Sequence, residues 1–286
     1  MGFSAQQSRR RGLRLLPIVA VGLILLFRYF TTETFVNSET GEAHKVALSV
    51  EQEAALGLSS YQEVLSQSRV IESGPEVDMV KRVAHRLTQV VPDSARNFDW
   101  RVSVVDSPQV NAFCLPGGKI VVYTGILPVA QNEAGLATVL GHEIAHATAR
   151  HGAQRVFQQQ SLQIALSGAR GALGDMSIEQ QRAIMGLLGA GAQYGLALPF
   201  SRDHELEADR LGLHYMARAG YDPRESVAFW KRMMENAGDK PPEIMSTHPA
   251  DSTRISQLEE LLPEAEAEYQ QQSHRASAYD TPTRTP

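Results

Sequence analysis

The segment Leu140-Gly141-His142-Glu143-Ile144-Ala145-His146 narrows what this chain can fold into more than any other stretch. It is an HExxH pattern inside an apolar run of helical period, and it asks for a helix that presents two imidazoles on one face. His142 and His146 stand one turn apart, so both rings can reach one small cation. Glu143 stands about 100° further round the helix. That is too far to share the cation and well placed to take a proton from a water held there. A catalytic metal site takes three protein ligands and keeps one open position, so two histidines do not complete it. The stretch from Ser201 to Gly212 offers the third, because Glu205, Asp209 and Gly212 fall on one helix face at offsets of four and seven. Glu205 is the expected ligand. Asp209, one turn on, is placed to accept the remaining ring N–H of a ligand histidine, and Gly212 to let two helices come close. A solvated charged face is the ordinary meaning of such a run, and its pairing with the HExxH is what argues otherwise.

The 286-residue chain has material for one generous domain or two small ones. A net charge of -5 leaves no basic excess, so nucleic acid is not an expected partner. Cys114 is the single cysteine, which excludes an intrachain disulfide and a cysteine-based zinc site. At the N-terminus Arg9, Arg10, Arg11 and Arg14 precede an apolar run from Leu15 to Phe27, followed by Arg28, Tyr29 and Phe30. Two readings are open. As a membrane anchor over 13–32 the run is short, but it is flanked by arginines that can snorkel and by an aromatic pair. As a cleaved signal peptide it has no small-x-small site close behind it. The anchor is the reading adopted, with 1–12 a basic cytoplasmic N-terminus and the rest of the chain across the membrane.

Residues 33–48 read as a polar linker and 49–262 as one domain. Ser49-Val50-Glu51-Gln52 has the form of a capping box and opens a helix to about residue 69. Gly74-Pro75 breaks the pattern, and Val77, Val80, Ala84, Leu87 and Val91 mark a second helix. Trp100–Val104, Val110–Leu115 and Lys119–Tyr123, with a turn at Pro116-Gly117-Gly118, predict a small antiparallel sheet. Asn132 caps the HExxH helix, expected to end near Gly152. Further helices are expected over 153–166, from near 177, from Ser201 to Gly220, over 224–237 and up to about Leu262. The uncharged, glycine-rich segment 184–200 reads as a buried or lid-like helix, with a second membrane span as the alternative. Past Pro263 the composition turns to Glu, Gln, Ser, Thr and Pro, which predicts a disordered tail over 263–286.

Four segments together resemble the HtpX-like and CAAX-prenyl-protease-like zinc metallopeptidases. They are His142 to His146 with Ala149-Arg150-His151 behind it, Ser201-Arg202 leading into Glu205-Leu206-Glu207-Ala208-Asp209, Asn111 to Gly118, and Ser246-Thr247-His248-Pro249. The resemblance covers about residues 75–262. The single N-terminal apolar segment is most similar to the bacterial periplasmic branch of BepA and LoiP type. The resemblance implies a gluzincin-type α+β fold: a mostly helical zincin-like domain with a small antiparallel sheet, behind an N-terminal transmembrane helix. It implies one zinc ion and endopeptidase activity, with His142, His146 and Glu205 as ligands and Glu143 as general base. The several spans of the HtpX and prenyl-protease branches are not legible, which argues against prenylated substrates. Nor are BepA-type tetratricopeptide repeats.

The location this implies is the bacterial inner membrane, single-pass, with the catalytic domain in the periplasm. The implied substrates are unfolded or misassembled envelope proteins. Such a polypeptide would lie extended along Asn111, Ala112, Phe113, Cys114 and Leu115. A chaperone-like assembly factor with a latent zinc site would use the same strand, and is the alternative. His248 and Arg254 take roles on the strength of the resemblance. Either one hydrogen-bonds a tetrahedral oxyanion, or neutral His248 fills zinc's fourth position and keeps the enzyme latent; the bland reading of His248 is a surface histidine before a helix. His151 and His204 read as structural or surface histidines. His44, His85, His214 and His274 have no legible partner, and Cys114 reads as a small packed residue.

Overall fold

In the computed structural model the described residues are 15–172, 201–235, 242–248 and 252–279. The first half of the chain forms α1 (Leu15–Thr31), β1 (Thr34–Val36), β2 (Ala43–Lys45), α2 (Val50–Ser66), β3 (Val70–Ile71), α3 (Pro75–Thr88) and α4 (Asp93–Arg96). Then come β4 (Arg101–Val105), β5 (Ala112–Leu115), β6 (Lys119–Tyr123), α5 (Leu127–Ala130) and α6 (Glu133–Thr148). The remainder is helical: α7 (His151–Ala172), α8 (Arg202–Arg218), α9 (Glu225–Glu235), α10 (Glu243–Thr247) and α11 (Ser252–Tyr279). Two compact units divide these elements, one built from residues up to Phe35, Lys45–Ala47 and Gln154–Leu198, the other from Val36–His44, Leu48–Ala153 and Pro199 onward.

The first unit holds α1 and most of α7. No residue of α1 is buried, and Leu15, Leu16, Leu23, Phe27 and Phe30 are all exposed. Gly171 of α7 gives Pro17 room, since a Cβ there would stand 3.3 Å from the proline Cβ. Where the transmembrane helix was expected stands this 17-residue apolar helix. Among the described residues, however, no helix is long and apolar enough to cross a membrane. Residues 1–14, the helix expected from near 177 and the 184–200 segment lie outside the described residues.

The second unit carries the sheet, in the order β3-β4-β6-β5. The expected antiparallel pairing holds for β5 with β6, and a short strand that was not expected, β3, pairs antiparallel with β4, but the central pair, β4 and β6, is parallel. Its register runs from Arg101 beside Lys119 to Val105 beside Tyr123. Gly117 and Gly118 take φ of +75° and +86°, which folds β6 back antiparallel to β5, and β4 then pairs with the other side of β6 and not with β5, which makes that pair parallel. A side chain at Gly118 would also strike the Trp100 ring, because its Cβ would stand 2.8 Å from the nearest ring carbon. The turn leaves β5 as an edge strand.

Against this sheet packs α6, buried from Gly135 through Thr148. It contacts α3, α8, α9 and β5 on its several sides, which is why it reads as apolar all round. Val80, Val83 and Leu87 of α3, Leu211 and Tyr215 of α8, and Phe229 and Trp230 of α9 complete the core. The capping box at Ser49 forms, with Gln52 and Ser49 satisfying each other's backbone N–H groups.

Two expectations are corrected. The HExxH helix ends at Thr148, short of Gly152, because Arg150 adopts φ +58° and the chain restarts as α7. Arg150 Nη2 donates to Leu48 O at 2.7 Å and Nε donates to Glu53 Oε1 at 3.2 Å, and these bonds hold a non-glycine residue in the left-handed region. The tail expected past Pro263 is instead helix to Tyr279. Tertiary contacts override its composition: Leu258 and Ala265 are buried, and Glu268 accepts from His214 Nδ1 at 2.9 Å and from Arg218 at 3.3 Å. Residues 280–286 lie outside the described residues.

Candidate active site

Two capped helices build the site. Asn132 Oδ1 accepts from Gly135 N at 2.9 Å to start α6, and Ser201 Oγ accepts from His204 N at 3.2 Å to start α8. The helices touch through glycines. A Cβ on Gly212 would stand 3.0 Å from His142 N, and one on Gly141 would stand 3.1 Å from Gly212 O. That approach delivers Glu205 and Asp209 to His142 and His146.

The donor atoms of His142, His146, Glu205 and His248 all lie within 4.8 Å of one another, and all four residues are buried. His146 Nε2 is 3.0 Å from His142 Nε2. Glu205 Oε2 stands 3.3 Å from His142 Nε2, and Oε1 stands 3.4 Å from His146 Nε2. His248 arrives from the end of α10, where the Ile244 amide donates to Val110 O at 3.4 Å and ties that helix to the start of the β5 segment. Its Nδ1 is 2.9 Å from Glu205 Oε1 and 3.2 Å from His142 Nε2. His248 is therefore not a surface residue; Pro249 lies outside the described residues.

Glu143 points the other way round α6, as the helical angle requires. Its Oε1 is buried and accepts no hydrogen bond among the described residues, with His248 Nε2 at 3.4 Å. It faces a cavity of about 420 Å³ walled by the 111–116 segment, His146 and His248. All five residues expected to bind substrate, Asn111, Ala112, Phe113, Cys114 and Leu115, line this cavity. Burial pushes the Cys114 thiol up, so that side chain stays a neutral packed group.

Behind the cluster His142 Nδ1 donates to Asp209 Oδ1 at 2.9 Å. Arg254 then grips Asp209, with Nε donating to Oδ2 at 2.6 Å and Nη2 to Oδ1 at 2.7 Å, while Nη1 pairs with Glu205 Oε2 at 2.9 Å. Its guanidinium carbon lies 3.8 Å above the centre of the Trp230 ring. Arg254 is absent from the cavity wall, and its Nε and Nη2 face the Asp209 carboxylate behind the cluster.

The electrostatics follow from this crowding. Burial and Arg254 oppose a proton on His142, but Glu205 and the Asp209 hydrogen bond prevail and lift it to about 9. Burial takes His146 well below the usual histidine range. Burial pushes Asp209 and Glu205 up, yet the Arg254 guanidinium for the first, and His248 and His142 for the second, hold them below the ordinary carboxylate range. Sequence reasoning missed His151 and Glu207. Both are buried, with His151 Nδ1 2.8 Å from His146 Nδ1 and Nε2 3.0 Å from Glu207 Oε2. Five residues along a continuous helix would have turned His151 away from His146; the left-handed step at Arg150 brings it back.

The residues fit a zinc ion. Three imidazoles and a carboxylate are the nitrogen and oxygen donors it prefers, and their donor atoms all lie within 4.8 Å of one another in a buried cluster. Residues 76–262 match the model described as Peptidase family M48. The chain belongs to peptidase family M48. Metallopeptidases of this family are zinc-dependent, and the buried cluster is suited to one such ion. The chain is 37% identical over 224 residues to the mitochondrial metalloendopeptidase OMA1 of Schizosaccharomyces pombe, covering 77% of this chain and 64% of that one. It is 32% identical to the metalloendopeptidase OMA1 of Homo sapiens, covering 87% of this chain and 50% of that one. It is 30% identical to the beta-barrel assembly-enhancing protease of Yersinia pestis, covering 76% of this chain and 45% of that one. This chain thus spans between about half and two thirds of the length of those three relatives.

Proposed function

We propose that this chain is a zinc-dependent endopeptidase in which His142, His146 and Glu205 hold the metal and Glu143 is the general base. One observation carries the reading: a buried carboxylate oxygen of Glu143, free of hydrogen bonds among the described residues, faces a cavity beside a cluster of metal donors. When bound, zinc supplies Lewis acidity, which makes a water acidic near neutral pH and polarises a carbonyl. Glu143 Oε1 takes the proton of the attacking water and later passes it to the leaving amine. Asp209 accepts from His142 Nδ1–H and so keeps the opposite nitrogen free for the metal, with Arg254 fixing the carboxylate. The substrate backbone pairs with the open edge of β5, where main-chain hydrogen bonds accept many sequences.

Because His248 Nδ1 lies 2.9 Å from Glu205 Oε1 within the donor cluster, His248 would also hold the metal in a resting enzyme and would have to move aside for substrate. His248→Ala should then raise basal cleavage; a sharp fall in turnover would return the residue to an oxyanion role.

The finer reading places the peptidase domain over 49–262 in the bacterial periplasm, anchored in the inner membrane by α1. It acts there on unfolded or misassembled envelope proteins. The unburied apolar surface of α1 and the relatives named beta-barrel assembly-enhancing proteases support it. The deciding experiment is casein digestion with and without a chelator. Cleavage should stop on zinc removal and return when zinc is added back. A protein that binds casein with its full zinc complement and leaves it intact would be an assembly factor instead.

A further inference from the structure

We propose that His151 and Glu207 form a relay that fixes the tautomer and orientation of His146, and that the segment 37–44 holds its outer end. The proposal rests on His146 being a metal ligand, and its test separates the two ideas. His146 turns Nε2 toward the donor cluster, 3.0 Å from His142 Nε2 and 3.4 Å from Glu205 Oε1. A metal-facing ring nitrogen carries a lone pair, so the proton of neutral His146 sits on Nδ1. That nitrogen lies 2.8 Å from His151 Nδ1, and only one of two nitrogens so close can carry the proton. His151 Nδ1 is therefore the acceptor. The proton of His151 then sits on Nε2, which donates to Glu207 Oε2 at 3.0 Å.

The carboxylate is itself held. Asn37 Nδ2 donates to Glu207 Oε1 at 2.7 Å and Thr40 Oγ1 donates to it at 2.9 Å, while His44 Nε2 stands 3.3 Å from Oε2. The His204 ring stacks on His151 with centroids 4.4 Å apart and planes 20° apart, which leaves His151 little freedom to rotate. His151, Glu207, Asn37 and His204 are all buried, so the pattern is not one that water can rearrange. His142 receives the same service directly from Asp209. His142 and His146 thus have separate carboxylates, one adjacent and one reached through a second imidazole.

The test measures zinc affinity of the full-length protein by competition with a chelating dye, together with the visible spectrum of the cobalt-substituted form. His151→Leu should weaken zinc about 10- to 100-fold and shift the cobalt bands. His151→Gln should recover most of that loss, because its amide oxygen can accept from His146 and its amide nitrogen can donate to Glu207. Asn37→Ala should weaken zinc by about twofold to tenfold, through one hydrogen bond lost at the end of the chain. If His151→Leu fails to fold, Glu207→Gln and Asn37→Ala carry the test, provided their circular dichroism matches wild type. Unchanged affinity and cobalt spectra in these variants overturn the relay. So does equal damage from His151→Gln and His151→Leu, which would show packing alone. A second zinc per chain lost with Glu207→Gln would give that carboxylate to another ion and also overturn it. Wild-type zinc affinity in His146→Ala would instead sink the ligand assignment.

Discussion

Glu143 and Arg254 are both buried beside the same histidine cluster, yet substitution should separate them cleanly. Glu143 touches no structural partner through Oε1 among the described residues, so Glu143→Gln should keep the fold and the zinc while turnover falls by about 10²–10⁴. Steady-state cleavage with metal analysis on the same sample checks this. Arg254 supplies a guanidinium hydrogen bond to each oxygen of Asp209. Arg254→Ala should therefore leave a buried carboxylate short of its partner and destabilise the protein by about 3–5 kcal/mol in denaturant unfolding. Lost turnover at unchanged stability would instead return it to a substrate-facing role. Glu205→Ala should cost more bound zinc than Glu207→Ala, since the first removes a donor and the second only the far end of the relay. His142, His146 and Glu143 were legible in the sequence because an i, i+4 pair needs nothing but a helix. His151 was not, because a single positive φ at Arg150 resets the angular count.

The pairing of α6 with α8 depends on two residues without side chains. Gly212→Ala would set a methyl 3.0 Å from His142 N and 3.1 Å from Gly141 C, tighter than helices in contact tolerate. It should cost about 1–3 kcal/mol as overpacking, and weaken zinc as Glu205 retreats from the histidines. Thermal unfolding with and without zinc reads both effects, and an unchanged zinc-dependent shift would show that the helices re-seat without moving the donors. Helix starts were readable at this scale: Ser49, Asn132 and Ser201 all cap as their side chains require. The parallel centre of the sheet was not. It depends on which side of β6 the earlier strand enters, and alternating residues in β4 and β6 carry no mark of that choice.

Across the whole chain, composition was a fair guide to the N-terminal apolar helix and a poor one to the C-terminal end, where His214 and Arg218 hold a polar helix in place. If α1 anchors the chain, full-length protein should stay with membranes through a carbonate wash, while a chain starting at Glu33 should be released. A mature N-terminus found beyond residue 27 would replace the anchor with a cleaved leader. The donor cluster is also spread along the chain in a way that bears on time. Asp209 lies 67 positions after His142, His248 lies 106 after it and Arg254 lies 112 after it. At ribosomal speeds of about 5–20 residues per second, the HExxH helix is made roughly 6–22 s before the arginine that steadies its carboxylate. A nascent chain therefore exposes the two histidines well before it can cut anything. In the proposed mechanism proteolysis waits for Glu205, so a nascent chain that carries only the HExxH helix lacks the third metal donor.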